Sequence, residues 1–189
     1  MKCLLLVVVA AALILPAVSQ QTKAKPATSG KNHTVILQSE GGSFAIDGPK
    51  GWIADRRVGH RLGVCCVYYA KGSWDTAETV LYPNIVTKGP GRQTLQELMD
   101  SDLAKFRKDN PGMSYVDGDM PFKGRTAKVR YFHGVNQGSS EAVAYIDEDK
   151  IIALVVLSSK TEKGLVDALP VLLAVLETYN YGVKALNAN

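Results

Sequence analysis

The chain has 189 residues, 46% of them hydrophobic and 21% charged, the balance of a globular protein and a poor fit to long disorder. Its 22 Lys and Arg against 18 Asp and Glu leave a formal net charge of +4, too mild an excess to imply nucleic acid.

The first nineteen residues carry the pattern of a secretory signal peptide. Lys2 is the single charge, an apolar run extends from Cys3 to Leu15, and Pro16 precedes Ala17-Val18-Ser19, after which cleavage is expected. The run falls short of the about 20 residues that cross a bilayer. Cys3 opens the run instead of standing at the cleavage site, so neither a transmembrane segment nor a lipid anchor is expected. Residues 20–32 are polar, with Pro26 and Gly30, and read as a flexible arm. Within it, Asn32-His33-Thr34 matches a glycosylation sequon, a pattern short enough to arise by chance. Residues 33–189 remain as one domain, long enough to bury a real core.

Short β-like runs open that domain: HTVILQ from His33, SFAID from Ser43, and Gly51-Trp52-Ile53, separated by Gly, Pro and Asp. Leu62 to Ala70 (LGVCCVYYA) is apolar on both alternating faces, which predicts a central strand covered on both sides. Thr79 to Thr87 is a further strand, and Pro83, which has no N–H to donate, predicts an edge position or a bulge. From Thr94 to about Asp109, Leu95, Leu98, Met99, Leu103 and Phe106 form one helical stripe. Thr94 and Glu97 have capping-box spacing at its start, and Asn110-Pro111-Gly112 ends it.

Three strands follow, Thr126 to His133, Glu141 to Ile146 and Lys150 to Leu157, expected to form an antiparallel meander turning at Asp147-Glu148-Asp149. Ser159 and Glu162 repeat the capping-box spacing and open a second helix with Leu165, Leu169, Leu172, Leu173, Leu176 and Tyr179 on one face; Pro170 should kink it or delay its start. Grouped strands with two principal helices and no βαβ alternation predict an α+β sandwich on a mainly antiparallel sheet.

Constellations that would carry a reaction are thin. Gly89-Pro90-Gly91 contains a proline and opens no helix directly after a strand, so it is a turn and not a phosphate loop. His33, His60 and His133 are isolated, giving no metal-ligand spacing. Asp147-Glu148-Asp149 lacks the spaced oxygens of a calcium loop, and Gly138-Ser139-Ser140 lacks the second glycine of a nucleophile elbow. No catalytic residue, metal or cofactor is assigned. Removal of the signal leaves two cysteines, the neighbours Cys65 and Cys66. In a strand their side chains would diverge, so two thiols are expected, packed in the core where an apolar setting raises their pKa.

One segment invites a ligand. Asp55 to Arg61 is read as a loop that presents Arg56, Arg57, His60 and Arg61, and arginine forks match carboxylate and phosphate geometry. A solvated basic loop is the plainer alternative. A second candidate face carries Lys128, Arg130 and Phe132, whose alternation with Ala127, Val129 and Tyr131 suggests exposure, with the charges paired to Glu141 across the hairpin.

Phe44-Ala45-Ile46-Asp47-Gly48-Pro49-Lys50-Gly51-Trp52 resembles the F-x-I-x-x-P-x-G-W opening of the PsbP-like α/β/α sandwich superfamily. That superfamily includes the extrinsic P subunit of the oxygen-evolving photosystem, a yeast nuclear-import factor that binds a small GTPase, and exported bacterial proteins, the branch nearest in character. The resemblance spans about His33 to Tyr181 and implies an accessory binding domain more than an enzyme, with Trp52 wedged beneath the sheet. No obvious match exists for the yeast factor's acidic partner-binding surface. The resulting expectation is a secreted or periplasmic, non-catalytic domain that binds a protein or an anionic ligand. The alternative is a small-molecule carrier or an enzyme whose pocket forms only in the fold, marked by convergence of His60, Arg61, Tyr68, Tyr82 and His133.

Overall fold

The structure, a computed structural model, describes residues 33–89, 94–135 and 138–183. Residues 1–32, expected to be a signal peptide and a flexible arm, lie outside the described residues. In chain order the elements are β1 (Thr34–Ser39), β2 (Gly42–Asp47), β3 (Ile53–Asp55), α1 (Arg56–Arg61), β4 (Val67–Tyr69), β5 (Thr79–Thr87), α2 (Leu95–Asp109), β6 (Ser114–Phe122), β7 (Arg125–Val135), β8 (Ser139–Asp147), β9 (Ile151–Ser159), α3 (Glu162–Leu176) and β10 (Asn180–Tyr181).

Strands β3-β4-β5-β9-β8-β7-β6 form an antiparallel sheet of seven, and β1-β2-β10 form a second sheet of three. The centre of the large sheet follows directly from composition. Nearly every residue of β8 and β9 is buried, as continuous apolar runs must be when both faces of a sheet are covered. On one face, Ala142, Ala144, Ile151, Ala153, Val155 and Leu157 meet Leu165, Leu172 and Leu176 of α3 and Phe44 and Ile46 of β2. On the other, Val143, Tyr145, Ile152, Leu154 and Val156 meet Leu98, Met99 and Leu103 of α2. The result is an α+β sandwich of three layers: α2, the large sheet, and α3 with the small sheet. Each fully buried Leu or Ile stabilises it by about 1.5–3 kcal/mol.

The helix ends show where local signals hold. Thr94 Oγ1 accepts from the Glu97 amide at 3.2 Å while Glu97 Oε2 accepts from the Thr94 amide at 2.7 Å, so the capping box of α2 is formed. For α3 the cap falls elsewhere. Ser159 ends β9, and Thr161 takes the cap, accepting from the Gly164 amide at 3.0 Å. Pro170 does not delay the helix, which begins at Glu162 and continues to Leu176. Pro170 and Val166 are both exposed, so the carbonyl that loses its amide partner faces water.

Three strand expectations are corrected. Of Leu62 to Ala70 only Val67, Tyr68 and Tyr69 form a strand; all three are buried, but they lie second from the sheet's end. Strand β5 is interior and pairs with β9 over nine unbroken positions, so Pro83 causes no bulge. Because β4 covers only Val80 and Leu81, Pro83 has no strand on its other flank and a missing N–H costs no ladder bond there. The true edge strand near the C-terminal half is β6, missed in the sequence because Gly118, Pro121 and two aspartates depress its β propensity. Nine register pairs with β7 override that preference. Charges and a proline on an edge also discourage pairing with other chains.

Candidate functional site

The basic segment is a helix, not a loop. Asp55, the last residue of β3, caps α1: Oδ1 accepts from the Val58 amide at 2.9 Å, and Oδ2 accepts from the Tyr69 hydroxyl of β4 at 3.1 Å. One carboxylate therefore starts the helix and ties it to the sheet. At 3.6 residues per turn, Arg56, Arg57, His60 and Arg61 share an arc, and all four are exposed. Val58 and Gly59 face the other way and are buried. Among the described residues none of the three arginines has a carboxylate partner, whereas Lys88, Arg125, Lys128 and Arg130 each have one.

Gly59 explains how closely this helix sits. A Cβ at Gly59 would lie 2.4 Å from Cys66 Cα and 2.6 Å from Cys66 N, so only glycine permits the approach. The Gly59 carbonyl also accepts from the Val64 amide at 3.0 Å, turning the chain beneath the helix. Cys65 and Cys66 therefore lie in that turn and not in a strand. Their side chains do not diverge: the two free thiols place Sγ atoms 3.0 Å apart, with Cys66 buried and Cys65 half-buried.

The pair is electrostatically unequal. Cys66 is drawn below the ordinary thiol value because Cys65 donates to its sulfur, and Tyr68 and the Arg56 charge help against the opposing effect of burial. Cys65 is pushed up, first by that same contact and then by burial. The expectation of an apolar setting that raises both thiols fails at Cys66, because the turn puts a donor and a cation beside it.

The motif from Phe44 to Trp52 supports the same corner. Phe44 and Ile46 are fully buried. A Cβ on Gly48 would stand 2.3 Å from the Tyr68 ring, so the glycine makes room for that tyrosine. Gly51 has φ of +78°, and the Trp52 amide donates to the Pro49 carbonyl at 3.1 Å, which closes the turn and lays Trp52, partly buried, against the core.

With strand order, layers and this corner in place, the architecture matches solved structures. The cyanobacterial PsbP protein (CyanoP) of Synechocystis sp. PCC 6803 aligns with a TM-score of 0.51 over 84% of this chain and 98% of its own, at 13% identity. The fold is PsbP-like. Two other structures align less closely: a Pseudomonas aeruginosa protein of unknown function, PA94 (TM-score 0.42, 13% identity, 77% of this chain and 95% of its own), and the Saccharomyces cerevisiae Ran-binding protein Mog1p (0.45, 11%, 79% and 96%). No family profile and no curated protein sequence matches the chain. No helix among the described residues is long and apolar enough to cross a membrane.

In this PsbP-like frame the second candidate face is exposed only at Lys128. Arg130 and Phe132 are buried beneath α2. The Arg130 guanidinium donates to both oxygens of Asp117, Nε to Oδ1 at 2.6 Å and Nη2 to Oδ2 at 2.8 Å, and through Nη1 to the Met99 carbonyl at 2.7 Å. It also lies over the Tyr115 ring, 4.7 Å from the centroid. Lys128 pairs with Asp119 at 2.8 Å. Both carboxylates come from β6, the strand missed in the sequence, so Glu141 is not the partner. Glu141 faces α2 with its carboxyl buried; burial pushes it up to about 7, against a hydrogen bond from Ser158, while Asp102 adds to the rise. Neighbouring Tyr145 donates to Asp102 Oδ2 at 3.1 Å.

The acidic turn is likewise occupied: Asp147 pairs with Lys88 at 2.5 Å, and Glu148 with Arg125 at 2.6 Å while accepting from the Tyr179 hydroxyl at 3.0 Å. The five residues that would mark an internal pocket do not gather. Tyr68 belongs to the α3-side core and Tyr82 packs on the α2 side, with the sheet between them. His133 faces Glu162 at the start of α3, with Nδ1 at 3.9 Å from Oε1.

Proposed function

We propose that this chain is an exported, non-catalytic binding domain whose α1 engages a carboxylate-rich protein surface or another anionic ligand through Arg56, Arg57, His60 and Arg61. The observation that carries this reading is the one-sided helix: four exposed basic side chains on an outer arc, three of them arginines with no carboxylate partner among the described residues, on a backbone anchored by Asp55 and Gly59. Guanidinium groups left unpaired but held on a rigid element are pre-organised for bidentate acceptors. Export by the N-terminal segment, and a secreted or periplasmic destination, are part of the proposal. The dispersal of Tyr68, Tyr82 and His133 disfavours the carrier or enzyme alternative.

Titration of the domain with a glutamate-rich peptide, followed by calorimetry at two salt concentrations, tests the reading. Binding should weaken with salt and be lost in the Arg56→Ala, Arg57→Ala, Arg61→Ala triple variant, at about 1.5–3 kcal/mol per charge-assisted hydrogen bond. A pull-down from the exported fraction with the same pair of proteins then identifies the partner. Equal binding by both proteins would exclude α1 as the contact surface, and a turnover abolished by a single substitution would overturn the non-catalytic assignment.

A further inference from the structure

The turn beneath α1 holds a second chemical feature, independent of the arginines. Adjacent cysteines in a strand point to opposite faces, yet here Cys65 Sγ and Cys66 Sγ are 3.0 Å apart in a turn, and Cys65 reaches solvent. We propose that Cys65 and Cys66 form a reversible redox modification site, closed to a disulfide between neighbouring residues by exchange with a low-molecular-weight disulfide.

The contact supplies both partners of an exchange. In the singly ionised pair one proton is shared between the two sulfurs, and when it sits on Cys66 the half-buried Cys65 thiolate attacks the incoming disulfide, forming a mixed disulfide and releasing one thiolate. That leaving thiolate takes the proton from Cys66. The Cys66 thiolate then attacks Cys65 Sγ, forms the Cys65–Cys66 bond and expels the second small thiolate. Two protein sulfurs are oxidised by two electrons, and the external disulfide is reduced to two thiols. Stabilisation of the Cys66 thiolate by Tyr68 and Arg56 suits its role as the resolving group.

Reversibility follows from chain geometry. Adjacent α-carbons lie about 3.8 Å apart, short of the usual span of about 4.4–6.8 Å, so ring closure distorts the turn and the bond reopens readily in a reducing buffer. A free reactive pair of this kind differs from a structural disulfide, which resists reduction.

The test uses the folded protein in glutathione buffers of graded redox poise, read by intact mass and thiol count. The expected result is a species two hydrogens lighter, with no free thiol and no adduct, returning to two thiols on reduction. Cys66→Ser, which removes the resolving sulfur, should instead stop at a mixed disulfide with one glutathione on Cys65. The proposal is overturned if the wild type keeps both thiols in the most oxidising buffer, accumulates a stable glutathione adduct, or forms disulfide-linked dimers. The wild-type mass alone decides between these outcomes, whether or not the variant folds.

Discussion

The two sides of this molecule treat positive charge differently. Under α2, Arg130 is buried and every arm of its guanidinium is engaged, by Asp117, the Met99 carbonyl and the Tyr115 ring. On α1, three arginines stand in water with no carboxylate partner among the described residues. A charge taken out of water must be matched at once, so the Arg130 site is saturated and serves the fold. An exposed charge needs no such match, so α1 keeps its donors available for another molecule. Both segments looked like basic surface in the sequence, and burial separates them.

The sharpest way to break this comparison is to remove one charge from each side. Arg130→Ala strips Asp117 of its partner and leaves a cavity beside Tyr115; because Asp117 is half-exposed and regains water, urea unfolding should show a loss of about 1.5–3 kcal/mol. A smaller loss, comparable to a surface substitution, would mean that α2 does not seal this face.

Glu141 provides the next test and a sign. Its folded pKa of about 7 lies above the ordinary value of 4.5, so the folded state holds a proton that the unfolded state releases between those values. Its stability contribution is full below pH 4.5, falls as pH rises to about 7, and stays lost above. Glu141→Gln should therefore leave stability unchanged near pH 4 and raise it by about 3 kcal/mol at pH 8, flattening the pH profile. A profile identical to the wild type would show that the carboxyl ionises freely.

Gly59→Ala sharpens the comparison on the other side, because the added Cβ meets backbone at Cys66 that has no freedom to swing away. The expected cost is about 1–3 kcal/mol, with faster alkylation of Cys66 as α1 lifts. The smallest effect belongs to the arginines themselves. Arg56→Ala, Arg57→Ala and Arg61→Ala should each change stability by less than about 0.5 kcal/mol, so that any loss of anion binding in the triple variant reports recognition and not folding.

Elements whose signal is local were legible in advance. The stripe of Leu98, Met99 and Leu103 with the Thr94–Glu97 box located α2, and the apolar runs located β8 and β9 as strands of a meander, although the buried centre was expected at Leu62 to Ala70. Phe44 to Trp52 was legible as a PsbP-like opening, and the structure adds its reason, since Gly48 yields space to Tyr68. Site geometry was less legible. Residues Asp55 to Arg61 carry only one apolar side chain, Val58, too few for a helical period, and their helix depends on a cap that also reaches Tyr69 from another strand.

The amino-acid sequence by itself determined the α+β class, the two long amphipathic helices, the meander and the exposure of the α1 cations, because periodicity and capping act over a few residues. Only the tertiary structure decided that Arg130 is buried, that Glu141 sits in a setting that raises its pKa, and that Cys65 and Cys66 face each other. Each of those outcomes depends on what a distant segment brings: Asp117 from β6, α2 across the sheet, and Gly59 pressed against the turn. Solvent exclusion and close approach are properties of assembled layers, and a linear pattern contains neither.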